Sequence, residues 1–145
     1  MSEEKKVRLR IVSRLTEPDG EVHEMKHARS GLLCVQQEEI RLEYDDEQDG
    51  EKAHIVLKMQ AGRSESENRA CMLRKGMISA ELTFLPGQRV SSRYVTIYGD
   101  IPVAVDTRRV GIERSSMGGV LTMDYDVYMG GERTSRANME ITWRV

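Results

Sequence analysis

No apolar run in this 145-residue chain is long enough to cross a bilayer as a helix, which takes about 20 residues, or to form the roughly 7 to 15-residue core of a signal peptide. The sequence opens Met1-Ser2-Glu3-Glu4-Lys5-Lys6 and then begins to alternate. A cytoplasmic location and no membrane association are therefore expected. Cysteine is scarce: Cys34 and Cys71 are the only two. Neither has a motif neighbour that would lower its pKa, so both are expected as reduced, buried, small hydrophobes. Charge of one sign is lacking too, since 22 Lys and Arg against 24 Asp and Glu leave a formal charge of -2. With the signs interspersed, a dominant electrostatic attraction to nucleic acid or acidic membrane is not expected. A sustained 3.6-residue period of helical length is missing, and so are a Gly-rich phosphate loop, a nucleophile elbow and a His-based triad. No catalytic activity, cofactor or metal is expected.

What fills the chain is period-two alternation, the mark of strands with one apolar and one wet face. Ile78, Ala80, Leu82 and Phe84 alternate with polar neighbours, Leu85-Pro86-Gly87-Gln88 breaks the run, and Tyr94 to Tyr98 resumes it. Before this pair, Val7, Leu9 and Ile11 share a face, and Glu17-Pro18-Asp19-Gly20 makes a turn. Residues 21–29 return with weak parity, which suggests a bulge or an exposed edge near Ser30-Gly31. Ile40, Leu42 and Tyr44 alternate cleanly; a polar loop is expected from Asp45 to Lys52, followed by Ile55, Leu57 and Met59. Residues 63–69 are almost wholly polar but are assigned as a wet strand partnering residues 54–59. Arg74-Lys75-Gly76 is read as a turn. Pro102 marks the run Ile101, Val103, Val105 as edge-like, bulged or at a strand start. Leu121, Met123, Tyr125, Val127 and Met129 share one face, and Met139, Ile141, Trp143 and Val145 close the chain.

These spacings predict an all-β fold, a single antiparallel β-barrel of eight to ten strands in up-and-down order. The length suits one core and not two. Residues 1–6 are expected as a flexible N-terminus and 7–145 as the barrel domain, closed by the last strand against the one starting at Val7. Leu82, Ile97, Tyr125 and Ile141 are expected to face its axis.

Several segments together resemble a known family. They are Ser30-Gly31-Leu32, Ile40-Arg41-Leu42-Glu43-Tyr44-Asp45, the Arg74-Lys75-Gly76 turn, Met123-Asp124-Tyr125-Asp126-Val127 and Asn138-Met139-Glu140-Ile141-Thr142. Over residues 7–145 the chain is similar to the bacterial YwiB-like family of unassigned function. The resemblance implies a calycin-like, lipocalin-like barrel and brings no active-site residues with it.

Other candidate sites have simpler accounts. Asp45, Glu47, Asp49 and Gly50 have the spacing of the front half of a calcium loop, but Val56 stands where the closing carboxylate belongs, so a solvated loop is expected. His23 and His27, four apart on a strand, stand about 13 Å from each other and cannot chelate alone, and His54 could join only through tertiary contact. Arg8, Arg10 and Arg14 share a face, which Arg93, Arg108 and Arg109 could extend into a phosphate-holding stripe; the simpler account is a wet outer face paired to glutamates. Tyr94 and Tyr98 beside Arg93 echo a single-stranded nucleic-acid platform, a remote reading with so few aromatics. Asp124 and Asp126 share a face and are expected to be solvated.

The inward face is the richest in possibilities. Met59, Met72, Met123 and Met139 are flexible fillers, and Tyr44, Tyr125 and Trp143 bring polar tips that need partners. A barrel of this size is either packed solid or holds one small ligand. The expected function is non-catalytic binding of a small apolar or amphipathic molecule at Tyr44, Met59, Met123, Tyr125 and Trp143. A pocket should show converging polar groups such as Tyr44, Tyr125 and Ser79. The alternative is a structural or protein-interaction module, a homodimer through an exposed edge such as residues 21–29.

Overall fold

Alternation of apolar and polar residues along nearly the whole chain produces strands at nearly every position. The computed structural model describes residues 3–48 and 50–145. They form ten strands: β1 (Glu3–Thr16), β2 (Val22–Gln36), β3 (Glu39–Gln48), β4 (Glu51–Gln60), β5 (Arg69–Gly76), β6 (Ser79–Phe84), β7 (Arg89–Thr96), β8 (Gly99–Ser115), β9 (Gly118–Met129) and β10 (Glu132–Arg144). Each pairs antiparallel with its sequence neighbours, and β1 pairs with β10 from Arg8↔Arg144 to Thr16↔Arg136, closing the barrel. Closure removes the terminal edges that would otherwise template aggregation. Among the described residues no helix is long and apolar enough to cross a membrane.

One parity of each strand points to the axis. Val7, Leu9, Ile11, Leu42, Leu57, Phe84, Val105, Leu121, Met123, Ile141 and Trp143 make a single core, while Arg8, Arg10 and Arg14 lie in water on the opposite parity. Two glycines let this core close. A Cβ on Gly119 would collide with the Trp143 ring, and one on Gly31 would sit 2.6 Å from the Glu43 carbonyl. Pro102 lies where β8 already pairs with β7 but not yet with β9, whose pairing starts at Ala104↔Tyr128; a proline is tolerated there because that side needs no amide donor.

Five expectations are corrected. Residues 3–6 belong to β1 and pair with residues 32–35 instead of forming a flexible N-terminus. The Asp45–Lys52 segment is mostly ladder, running to Glu47↔Lys52 and Gln48↔Glu51, because charged side chains alternate out of a ribbon without cost; Asp49, needed for the calcium-loop reading, lies outside the described residues. Residues 63–69 are a loop with a 3-10 turn at Glu65–Glu67, and β4 instead pairs with β5 from Gln60↔Arg69. Buried Asn68 holds that loop, accepting from the Gly62 amide at 2.9 Å and donating to the Val110 carbonyl at 2.8 Å. Ile97 is 79% exposed in the β7–β8 turn, although Leu82, Tyr125 and Ile141 do face the core. Cys34 and Cys71 are unpaired and only half-buried.

Candidate functional site

The five residues expected to line a pocket are gathered in the core, where they divide into two kinds. Met59, Met123 and Trp143 keep 1%, 0% and 1% of their surface. All three belong to the buried core and pack within it. Tyr44 and Tyr125 are buried by their rings: Phe84 meets Tyr125 edge-on with centroids 4.8 Å apart. Met72 and Met139 pack against the same cluster from its margin.

The phenol ends point to a feature that the alternation pattern left unnoticed. A row of directly opposed residues runs Gly31↔Tyr44↔Ile55↔Arg74↔Ala80↔Tyr94 across five ladders. Opposed residues share a sheet face. Ile55 is buried and Ala80 packs on the core, so this row is the inner face and Arg74 is an inward guanidinium. Its Nε donates to the Ile78 carbonyl at 3.2 Å, and among the described residues it makes no ion pair. Small Ala80 on one side leaves it room.

Two tyrosines, Tyr44 and Tyr94, feel this cation, and a third, Tyr125, feels Tyr94. Burial pushes the Tyr44 phenol up to about 12, with Asp46 adding to the rise and the positive charges of Arg29 and Arg74 opposing it. Tyr94 is raised by burial against the pull of Arg74, and Tyr125 is raised by burial and by Tyr94. Each is a neutral O–H donor at pH 7. None of the three hydroxyls bonds another protein group among the described residues, although a buried tyrosine usually finds a partner. Solvent still reaches them: the sealed polar atoms without partners are Arg41 Nε and Thr107 Oγ1. Arg74 also borders a cleft of about 820 Å³ that follows the β6–β7 seam, together with Leu73, Ser79, Ser92 and Val95. That seam is thin, with only Ser79↔Val95 and Ala80↔Tyr94 in register. The arrangement puts the phenol donors of Tyr44 and Tyr94 on the same inner-face row as one positive charge, a combination that suits an oxyanion.

Sequence reasoning missed Arg74 by placing it in a turn. The signal was present, since Arg74 continues the inward parity of Ala70 and Met72.

The other candidates do not assemble. His54 meets carboxylates instead of histidines, with Nδ1 at 2.7 Å from Asp45 and Nε2 at 2.9 Å from Glu43, a pair of contacts that imidazolium satisfies with two N–H donors. These hydrogen bonds, Asp45's first, raise its pKa. Glu17, Glu21 and His23 come close enough to share an ion, but all are exposed at the β1–β2 turn and ion pairs account for them. Arg93, Arg108 and Arg109 are engaged by Asp100, Asp126 and Glu65, so they extend no stripe. Tyr98 stands in water while Tyr94 points inward, so the nucleic-acid platform does not form. Asp126 is not solvated as expected: it is buried under Arg108 and Arg136.

Comparison with known proteins follows the fold. A family model described as "Domain of unknown function (DUF1934)" matches residues 9–141. The "Uncharacterized beta-barrel protein YwiB" of Bacillus subtilis (strain 168) is 24% identical over 143 residues, covering 99% of this chain and 96% of that protein. The crystal structure of the ywiB protein from Bacillus subtilis superimposes with a TM-score of 0.82 at 21% identity, over 97% of this chain and 92% of that one. This likeness supports the barrel and carries no ligand.

Proposed function

The chain belongs to the DUF1934 family, and from that premise we propose that it is a non-catalytic binding protein for a small amphipathic molecule with an oxyanion head, a carboxylate or a phosphate. The head sits at Arg74 among the hydroxyls of Tyr44, Tyr94 and Tyr125. Met59, Met123 and Trp143 belong to the sealed core that also holds Tyr44 and Tyr125, so in this reading the barrel works as a calycin-like cup filled in part by its own side chains. The single observation that carries the reading is an inward guanidinium that, among the described residues, has no acidic partner and shares its inner-face row with the phenols of Tyr44 and Tyr94, which bond no other described protein group. These donors are spent on solvent in the free protein, and a ligand oxyanion would accept from them in a charge-assisted contact.

The apolar part of the ligand would leave along the β6–β7 cleft. Leu73 and Val95 line it, and Met77, Ile78, Ile97 and Tyr98 stand exposed on the two hairpin turns beside it. A reducing cytoplasmic compartment suits the two free thiols.

Calorimetry with dodecanoate, dodecyl phosphate and dodecanol tests the proposal. Either anion should bind at least tenfold more tightly than the alcohol, and Arg74→Met should erase that preference while the melting temperature stays within a few degrees, since one charge-assisted contact contributes about 1.5–3 kcal/mol. Equal affinities for anion and alcohol, no binding of either anion, or an unchanged preference in Arg74→Met would overturn it.

A further inference from the structure

A second guanidinium stands on the inner face near Tyr44, and unlike Arg74 it is already engaged. Leu9↔Arg29 gives Arg29 the parity of a buried core residue, and the β2–β3 ladder, which ends at Gly31↔Tyr44, brings it beside Asp46 of β3. Its Nε donates to Asp46 Oδ1 at 3.0 Å, and Nη2 lies 2.9 Å from the same oxygen. Nη1 donates to the Ala28 carbonyl at 2.9 Å, while Nη2 also reaches His27 Nδ1 at 3.4 Å and the Glu47 carbonyl at 3.5 Å. The Arg29 and Asp46 side chains keep 22% and 15% of their surface, so solvent screens the pair only in part.

Asp46↔Ala53↔Gly76 is the next inner row, two residues along each strand from Tyr44↔Ile55↔Arg74. Burial is the main cause that shifts the Tyr44 phenol, and Asp46, Arg29 and Arg74 follow it, so a single hydroxyl lies within reach of all three charges. Asp45, Glu47, Lys52 and Lys75 take the outer parity, and Glu51 stands in water beyond Ala53. Among the described residues, the inner face around Tyr44 therefore carries two positive charges and one negative.

We propose that Asp46 decides which oxyanion the Arg74 site accepts: by holding Arg29 it leaves one net positive charge on the inner face, and so favours a singly charged carboxylate over a doubly charged phosphate monoester. This rests on the reading of Arg74 as the head-group contact and adds the residue that sets its selectivity. A carboxylate offers two oxygens and one charge, which a single guanidinium meets as a fork. A phosphate monoester brings three oxygens and nearly two charges at neutral pH, so it calls for a second cation. Arg29 would be that cation, but Asp46 occupies it and repels the incoming charge as well. Selectivity of this kind comes from what a site turns away as much as from what it holds.

Calorimetry with dodecanoate and dodecyl phosphate at pH 8 reads the selectivity as a ratio of dissociation constants, and thermal melts report that each variant is folded. At that pH the phosphate is doubly charged and an ordinary imidazole is neutral. Wild type should favour dodecanoate. Asp46→Asn keeps the shape and an acceptor for Arg29 while removing the charge, and should move the ratio about tenfold towards the phosphate. Arg29→Gln leaves the Asp46 charge unopposed and should move it the other way. With both substitutions Arg74 is the one ionised group left of the three, and the ratio should return close to that of wild type. A wild type that favours the phosphate, a ratio that Asp46→Asn leaves in place, or an equal shift in the double variant would overturn the role of Asp46 while Arg74→Met still erases the preference for anions over dodecanol. Loss of that Arg74 dependence would overturn the head-group reading itself, and the role of Asp46 with it.

Discussion

The barrel wall has a long side and a short side. β8, β9, β10, β1 and β2 run for 17, 12, 13, 14 and 15 residues, whereas β5, β6 and β7 run for 8, 6 and 8. The long side supplies Leu121, Met123, Ile141 and Trp143, among the most completely buried side chains in the molecule. The short side supplies Arg74, Tyr94 and the exposed turns at Met77–Ile78 and Ile97–Tyr98. The largest sealed side chain, Trp143, lies where ladders are long, and the inward charge, Arg74, lies where they are short. Elements with few ladder bonds also open most readily, which suits a place where a molecule must enter.

The largest effect should come from the long side. Trp143→Ala removes the biggest sealed side chain and should cost about 3–5 kcal/mol in urea unfolding. Tyr94→Ala, on the short side and only half-buried, should cost less than half as much; equal costs would break the comparison.

An intermediate effect sharpens it. Burial pushes the Asp126 carboxyl up, but hydrogen bonds from Arg108 and Arg136 outweigh this and hold it below its ordinary value. A depressed folded pKa adds stability that is present above the unfolded value, near 4, and is lost as pH falls through the lower folded one. Asp126→Asn should cost about 1–3 kcal/mol at neutral pH and flatten the acid limb of the stability curve. Parallel acid limbs in wild type and variant would remove the carboxylate from the account. The smallest effect belongs to Thr107, whose Oγ1 is sealed without a partner beside Tyr125. Thr107→Val should be neutral or raise stability by up to about 1 kcal/mol, read as melting temperature, because it deletes an unsatisfied polar atom.

Much of this wall was legible in the sequence because period two is a local signal. Leu121 to Val127 and Met139 to Trp143 alternate cleanly, and pairing the first strand with the last follows from the cost of leaving edges bare. The edge near Ser30-Gly31 was visible as lost parity, because a strand with water on both faces has no reason to alternate. Other features were hidden for the same kind of reason. Asp45 to Gln48 reads as a loop because a two-sided wet ribbon carries no apolar mark. Residues 63–69 read as a strand only because β4 needed a partner, and β5 supplied it. The anion site depends on which strands are neighbours: Tyr44, Arg74 and Tyr94 stand far apart in the chain and meet only through the row that the ladders define.

The pairing of β1 with β10 has a consequence for synthesis. Every other strand finds its neighbour within one hairpin of the growing chain, whereas β1 must wait for a strand that starts at Glu132. At about 5–20 residues per second on the ribosome, its open edge stays unclaimed for roughly 6–25 s. During that wait Arg8, Arg10 and Arg14 stand along the vacant rim. Like charges along that rim would disfavour its pairing with the same rim of a neighbouring nascent chain.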